Sequence, residues 1–210
     1  MAFVAVVLAI CVAMFGVSEL AFPTLWWISA AFWLVVIPFC LRRRWLVAQH
    51  KAAAYATGLV VIVPTWAAMV GLHERSPWLL LAAIALVWVA DIAAYFTGRA
   101  FGRRKLAPNL SPGKTWEGVA GAVLGTLIYA LLAALVAGLS LVAGLGWIPF
   151  LVLLTAISVL GDLFESMVKR QAGVKDSGNL LPGHGGILDR IDSQTSTLPL
   201  VALAVHLAAK

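Results

Sequence analysis

Seven long apolar runs, separated by short polar segments, constrain this chain more than any other feature of its sequence. A helix needs about 20 mostly apolar residues to cross a bilayer. The chain is 62% hydrophobic and only 11% charged, whereas soluble domains carry about 25% charged residues. The sequence therefore predicts an all-α fold, a polytopic transmembrane helix bundle. Its spans are placed at about residues 2–18, 24–41, 53–72, 78–97, 118–138, 147–168 and 195–209.

Basic residues are concentrated in every second connecting segment. The segments after spans two, four and six hold every Lys and Arg except Arg75 and Lys210. Because basic loops remain on the cytoplasmic side, seven spans place the N-terminus in the cytoplasm and the C-terminus outside. The net charge of +6 is explained by membrane topology and phosphate groups, and no nucleic-acid partner is expected.

Three carboxylates lie inside the predicted spans, where a charge is costly: Asp91, Asp162 and Glu165. Asp91 precedes Arg99 by eight residues and Asp162 precedes Lys169 by seven, so both acids lie roughly 10–12 Å inside the basic edge. Two acids at one depth on different helices favour a hydrophilic cavity open to the cytoplasm. For Glu165 the alternative is an internal ion pair with Lys169, one helical turn away.

The segment Ser166–Asp192 carries most of the polar chemistry. Its residues 182–186, Pro-Gly-His-Gly-Gly, form a turn whose backbone N–H groups can approach phosphate oxygens closely. Asp189 and Asp192 are three residues apart and, together with Asp162, offer oxygen ligands to Mg²⁺. Mg²⁺ is favoured because it combines one or two carboxylates with substrate phosphates. No cluster of Cys or His argues for zinc.

Residues 111–118, Ser-Pro-Gly-Lys-Thr-Trp-Glu-Gly, form a second candidate phosphate-binding segment. The Gly-Lys-Thr sequence is like the end of a P-loop, but Pro108 stands where that motif has glycine, so the P-loop is excluded. A phosphate-binding turn with Lys114 as its charge remains. The alternative is a helix start capped by Ser111 or Thr115, and the two interpretations are compatible.

Together these motifs resemble the phosphatidate cytidylyltransferase, or CDP-diglyceride synthase, family. The family signature is matched at Ser166, Lys169, Arg170, Lys175, Asp176, 181–186, Asp189, Arg190 and Asp192. Upstream, family habit is matched at Asp91, 94–96, 98–99, 101–103, 105–108, 111–115, 117–118 and 161–166. The resemblance is strong from about residue 86 to residue 196 and weak before that.

The resemblance implies an enzyme that converts CTP and phosphatidic acid to CDP-diacylglycerol and pyrophosphate. It implies Mg²⁺, with room for a second cation, and a multi-pass protein of the cell inner membrane whose active site faces the cytoplasm. A homodimer is compatible with it. Nearby alternatives are CTP-dependent enzymes acting on another lipid, such as a polyprenol kinase or a CDP-archaeol synthase. An ion-coupled transporter is the alternative from another class.

The resemblance also implies roles for individual residues of this sequence. Catalytic roles fall on Lys169, Arg170, Lys175, Asp176, His184 and Arg190. Substrate contacts fall on Ser111, Lys114, Thr115, Ser166, Gly183, Gly185 and Gly186. The metal ligands are Asp162, Asp189 and Asp192, with Asp91 and Glu165 acting beside them.

Two regions are expected along the chain. Residues 1–75 hold N-terminal spans, which we expect to be shortened by about two spans relative to bacterial members of the family. Residues 76–210 form the catalytic transmembrane region, with cytoplasmic loops at 98–117 and 169–194.

Overall fold

The computed structural model describes residues 2–14, 18–43, 45–138, 144–178 and 186–210. Its helices are α1 (Ala2–Met14), α2 (Ser18–Ala31), α3 (Ile37–Arg43), α4 (Lys51–Arg75), α5 (Pro77–Phe101), α6 (Trp116–Val136), α7 (Ile148–Gln171) and α8 (Leu188–Ala208). A π-helical segment, Phe32–Val36, joins α2 to α3, and a 3₁₀ turn, Val47–Gln49, precedes α4. The predicted fold class, a polytopic all-α bundle, is confirmed.

Five helical stretches of the described residues are long and apolar enough to cross a membrane: Phe22–Arg43, Lys51–Arg75, Pro77–Phe101, Trp116–Val136 and Ile148–Gln171. They correspond to predicted spans two to six. At the first predicted span, α1 has 13 residues, fewer than the roughly 20 that a crossing requires. At the seventh, α8 is long enough but begins with charged and polar residues. The count of seven spans and the orientation of the N-terminus stay predictions.

Helix α8 packs against α2, α4, α5 and α7 and supplies much of the core. Its residues from Ser193 to Leu200 are all buried. The hydroxyls of Thr195, Ser196 and Thr197 donate to backbone carbonyls of their own helix, so this polar stretch is buried without unpaired hydroxyls. The helix consequently begins at Leu188, well before residue 195, where the seventh span was predicted to start.

Helices α5 and α6 approach each other closely along a row of glycines. A Cβ atom added to Gly118 would lie 2.9 Å from the Ala94 carbonyl oxygen, and one added to Gly125 would lie 2.7 Å from the Ala93 Cβ. Small residues permit this separation, as is common between helices in membranes.

Replacing Gly121 by alanine is expected to destabilise the protein by about 1–3 kcal/mol, because the new methyl group would overlap the Thr97 side chain. The matched control is Gly144→Ala, since a Cβ there meets nothing within 4 Å. Thermal unfolding in detergent measures both changes. Equal melting temperatures for the two variants would contradict the close contact.

A short antiparallel hairpin connects α5 to α6 and was not predicted. Strands β1 (Lys105–Ala107) and β2 (Ser111–Thr115) form it. Thr115 caps α6, because its Oγ1 accepts from the Gly118 N–H at 3.1 Å. The Glu117 carboxylate accepts from the backbone N–H groups of Arg103 and Arg104. Of the two predicted caps, Thr115 is therefore the one observed.

The three basic segments meet at one end of the bundle, in agreement with the prediction that they share one side of the membrane. The Gln171 side chain at the end of α7 donates to the Trp45 carbonyl, 2.8 Å away, in the segment after α3. Lys114 of the hairpin reaches Asp162 of α7. This end, called the basic end below, carries the candidate site.

Candidate functional site

A cavity of about 710 Å³ lies toward the basic end, between α5, the hairpin, α6, α7 and α8. Its wall carries both signs of charge and several hydroxyl groups. The prediction that Asp91 and Asp162 share one cavity is confirmed. Among the lining residues are Asp91, Asp162, Asp189, Asp192, Arg99, Lys105, Lys114, Ser111, Thr115, Ser158 and Ser193.

Three carboxylates converge beside this cavity, and two of them, Asp162 and Asp192, line it. Asp162 and Glu165 lie three residues apart on α7, and Asp192 lies in the second turn of α8. One oxygen atom from each lies within 4.8 Å of the other two. The Glu165 Oε1 atom is buried and has no hydrogen-bond partner. This donor set suits a hard divalent cation such as Mg²⁺, which binds through oxygen.

Asp189 is engaged elsewhere. Its Oδ1 accepts from Lys169 Nζ at 2.6 Å, and its Oδ2 accepts from the Ser177 N–H and hydroxyl and from the Gly186 N–H at 2.7–2.9 Å. Burial alone would raise the pKa of this carboxyl, but the hydrogen bonds from Lys169, Gly186 and Ser177 outweigh it and hold the pKa well below its usual range.

The described acids therefore group differently from the predicted metal set. Glu165 joins Asp162 and Asp192, whereas Asp189 lies outside that group of three. The sequence analysis placed Glu165 beside the ligands, with an internal ion pair to Lys169 as the alternative. That pair does form at 3.0 Å, but it involves Oε2 and leaves Oε1 free to accept another partner.

Two lysines alternate with these acids. Lys114 Nζ lies 2.5 Å from Asp162 Oδ2 and also donates to the Val159 carbonyl at 3.4 Å. Lys169 bridges Glu165 and Asp189. Each lysine comes from a segment that the sequence singled out, and each is partly buried. The arrangement offers both cation ligands and phosphate partners within one small volume.

The other predicted residues fall into four groups. Ser111, Thr115 and Lys114 line the cavity. Ser166 donates to Asp162 Oδ1 at 3.4 Å, and the Gly186 N–H binds Asp189. The exposed side chains that do not line the cavity are Arg170, Lys175, Asp176 and Arg190. Gly183, His184 and Gly185 lie outside the described residues.

Two serines at the site were missed by the sequence analysis. Ser193 donates to Asp91 Oδ1 at 3.4 Å and so connects α8 to α5. Ser177 holds Asp189 through two hydrogen bonds. Ser193 could have been suspected from its position beside Asp192 at a helix start. Ser177 shows no such signal, because only the folded loop brings it to Asp189.

The comparison with known protein families decides the assignment. The model described as the cytidylyltransferase family matches residues 1–208, nearly the whole chain. The chain belongs to the cytidylyltransferase family. The resemblance drawn from its motifs is thereby confirmed.

Individual enzymes are similar to this chain in sequence. Phosphatidate cytidylyltransferase of Pseudomonas aeruginosa is 42% identical over 211 residues, which cover 96% of this chain and 75% of the relative. The enzyme of that name from Haemophilus influenzae is 55% identical over 125 residues, 58% of this chain and 43% of the relative. The one from Bacillus subtilis is 47% identical over 125 residues, 57% of this chain and 44% of the relative.

Proposed function

We propose that this membrane cytidylyltransferase transfers the cytidylyl group of CTP to phosphatidate, giving CDP-diacylglycerol and pyrophosphate. The observation that carries the proposal is the cavity at the basic end, where three carboxylates converge beside two lysines. It is supported by the names of the relatives, which are phosphatidate cytidylyltransferases. We place the reaction at the cytoplasmic face of the inner membrane because the basic segments surround this cavity.

Cytidylyl transfer joins two anionic substrates, which suits a site that holds both carboxylates for a cation and lysines for phosphate. An oxygen of the lipid phosphate monoester attacks the α-phosphorus of CTP. The bond from that phosphorus to the bridging oxygen breaks, and pyrophosphate leaves with the electron pair. The nucleophile is already ionised, so neither a covalent enzyme intermediate nor a strong general base is needed. The work left to the protein is to bring two anions together and align them.

Mg²⁺ is the cofactor that we assign to Asp162, Glu165 and Asp192. The unpartnered Glu165 Oε1 supports this assignment, because a buried carboxylate oxygen without a donor is costly unless a cation satisfies it. When bound, such a cation supplies charge neutralisation to the phosphates. A second cation stays a prediction.

Cationic side chains complete the site. Lys114 lines the cavity from the hairpin, and Lys169 of α7 pairs with Asp189 in the cavity wall. Both lysines are held by carboxylates. Each ammonium group can donate to phosphate oxygens while remaining paired, since it has three N–H bonds. Ser111 and Thr115 lie beside Lys114 on the same strand and line the same wall. We assign the exposed Arg170, Lys175 and Arg190 to attraction of CTP from solution.

The test is an assay of the purified protein with radiolabelled CTP, phosphatidate in mixed micelles, and Mg²⁺. We expect label from the α-phosphate to enter the lipid extract, and pyrophosphate to be released in equal amount. Excess EDTA should stop the reaction, and added Mg²⁺ should restore it.

Parallel reactions with a polyprenol, and with the archaeal ether-lipid analogue of phosphatidate, distinguish the neighbouring activities. A polyprenol kinase would transfer the γ-phosphate, so label in the α-position would stay in solution. Intact, monodisperse protein that labels no lipid from phosphatidate would overturn the proposed function.

A further inference from the structure

One face of α5 connects the acidic part of the cavity to its rim. Asp91, Tyr95 and Arg99 follow one another at intervals of four residues, so they lie on one side of the helix. All three line the cavity. Asp91 lies beside Ser193 of α8, whereas Arg99 lies in the last turn of α5, next to the hairpin. The stripe therefore runs from the carboxylates outward to the end of the span.

The same part of α5 is an outer surface of the bundle. Tyr95 is 57% exposed although it lines the cavity, and its neighbours Ile92 and Phe96 are 56% and 63% exposed. These residues belong to the stretch Pro77–Phe101, which is apolar enough to cross a membrane. At Tyr95 the cavity wall and the lipid-facing surface are therefore formed by one side chain.

Arg99 is available to an anion at this position. Its Nη1 donates to the Tyr95 hydroxyl oxygen at 2.9 Å, and it forms no ion pair within the part of the chain that the structure describes. Lys114 and Lys169, in contrast, are both paired with carboxylates. A planar guanidinium with free N–H groups binds a phosphate through two parallel hydrogen bonds.

We propose that Arg99 and Tyr95 form the acceptor-lipid side of the site, and this inference rests on the proposed function. Arg99 binds the phosphate monoester of the lipid, and Tyr95 holds the guanidinium in place. The acyl chains leave the cavity over Tyr95 and lie in the bilayer along Ile92 and Phe96. The lipid phosphate then approaches the three clustered carboxylates from the membrane side. The nucleotide, held by Lys114 and Lys169, lies opposite.

Kinetics with the two substrates varied separately test this proposal. Arg99→Gln is expected to raise the KM for phosphatidate, expressed as surface mole fraction, by about tenfold or more, with the KM for CTP nearly unchanged. Tyr95→Phe should raise the phosphatidate KM by a smaller factor, because it removes the hydroxyl that holds Arg99 but keeps the ring. Arg99→Lys should recover only part of the loss, since an ammonium cannot bind in the two-pronged manner.

Arg104→Gln is the matched control. Arg104 lies at the same end of the bundle, is exposed, and does not line the cavity. The Arg104→Gln substitution removes the same charge from the same membrane face, so both KM values should equal those of the unchanged protein. An equal rise of the phosphatidate KM in Arg104→Gln and Arg99→Gln would show a general surface-charge effect and overturn the proposal. A rise confined to the CTP KM would do the same.

A binding measurement separates this inference from the proposed function. The unchanged protein is photolabelled with a diazirine-bearing phosphatidate without CTP or Mg²⁺, and unlabelled phosphatidate competes. We expect competition in the unchanged protein and in Arg104→Gln, and loss of the specific label in Arg99→Gln. If no CDP-lipid forms but this pattern holds, the reaction assignment fails and the lipid site stands. If CDP-lipid forms but Arg99→Gln labels normally, the lipid site fails alone.

Discussion

Asp192→Asn is expected to lower kcat for CDP-lipid formation by about a thousandfold or more, the equivalent of several kcal/mol of transition-state stabilisation. Asp192 is the member of the three-carboxylate group that comes from α8, while Asp162 and Glu165 come from α7. An amide keeps the shape of the side chain but not its charge, so a divalent cation would be held more weakly between the two helices. Initial rates measured against Mg²⁺ concentration test this.

The control for Asp192→Asn is Glu74→Gln. Glu74 is an exposed carboxylate near the end of α4 and does not line the cavity at the basic end. The same loss of one negative charge there should leave kcat within about twofold. Glu165→Gln should behave like Asp192→Asn, because it alters the same group. A folded Asp192→Asn protein that retained a tenth of the normal rate at saturating Mg²⁺ would contradict the metal assignment.

Much of the fold could be predicted because the constraint on membrane helices is severe. Every backbone polar group inside the bilayer must be paired within the protein, so long apolar runs become helices. The predicted runs at 53–72 and 78–97 thus correspond to α4 (Lys51–Arg75) and α5 (Pro77–Phe101). The predicted spans were shorter than the observed helices, because charged residues such as Lys51 and Arg99 extend the helices to the membrane edge. There their charges can reach water.

The start of α8 could not be predicted from composition. Residues 193–197, Ser-Gln-Thr-Ser-Thr, have the composition of a loop, yet all are buried in a helix. They are tolerated because other helices surround them and backbone carbonyls accept from the hydroxyls of Thr195, Ser196 and Thr197. The β-hairpin was not predicted either, because strands of three and five residues are too short to show a recognisable alternating pattern.

The candidate site shows the same division. Depth along the helices was enough to bring Asp91 and Asp162 to one cavity, because that argument uses only the rise per residue. Depth alone does not tell which carboxylates could bind a metal ion and which form ion pairs with lysine. That distinction depends on which oxygen of Glu165 faces Lys169 and on the contact between the loop residue Ser177 and Asp189. Both are set by the tertiary structure.

Asp189→Ala is expected to destabilise the protein by ~2 kcal/mol, because the partly buried carboxylate accepts charge-assisted hydrogen bonds. The substitution deletes four hydrogen bonds that join Lys169, Ser177 and Gly186. Turnover should fall steeply, because Lys169 loses one of the two carboxylates that position it. Thermal unfolding and initial rates measure the two effects. Ser177→Ala removes one of the four bonds and should cost only about 1 kcal/mol.

The pH dependence of this effect has a definite sign. The pKa of Asp189 is lower in the folded protein than its usual value, so the folded state binds fewer protons than the unfolded state over that interval. The carboxylate therefore stabilises the fold fully above its unfolded pKa of about 4, and this contribution is lost as the pH falls toward the folded pKa. The melting-temperature difference between the unchanged protein and Asp189→Ala should be constant near neutral pH and shrink under acid conditions.

The Mg²⁺ dependence of Asp189→Ala decides between the two assignments of this residue. If Asp189 acts by holding Lys169 and the Ser177 loop, the Mg²⁺ concentration for half-maximal activity should stay within about twofold of normal while kcat falls. If Asp189 is instead a metal ligand, as the family signature implies, that concentration should rise by at least about tenfold, the range found when groups around a metal are altered. Asp192→Asn supplies the reference for loss of a proposed ligand in the same assay.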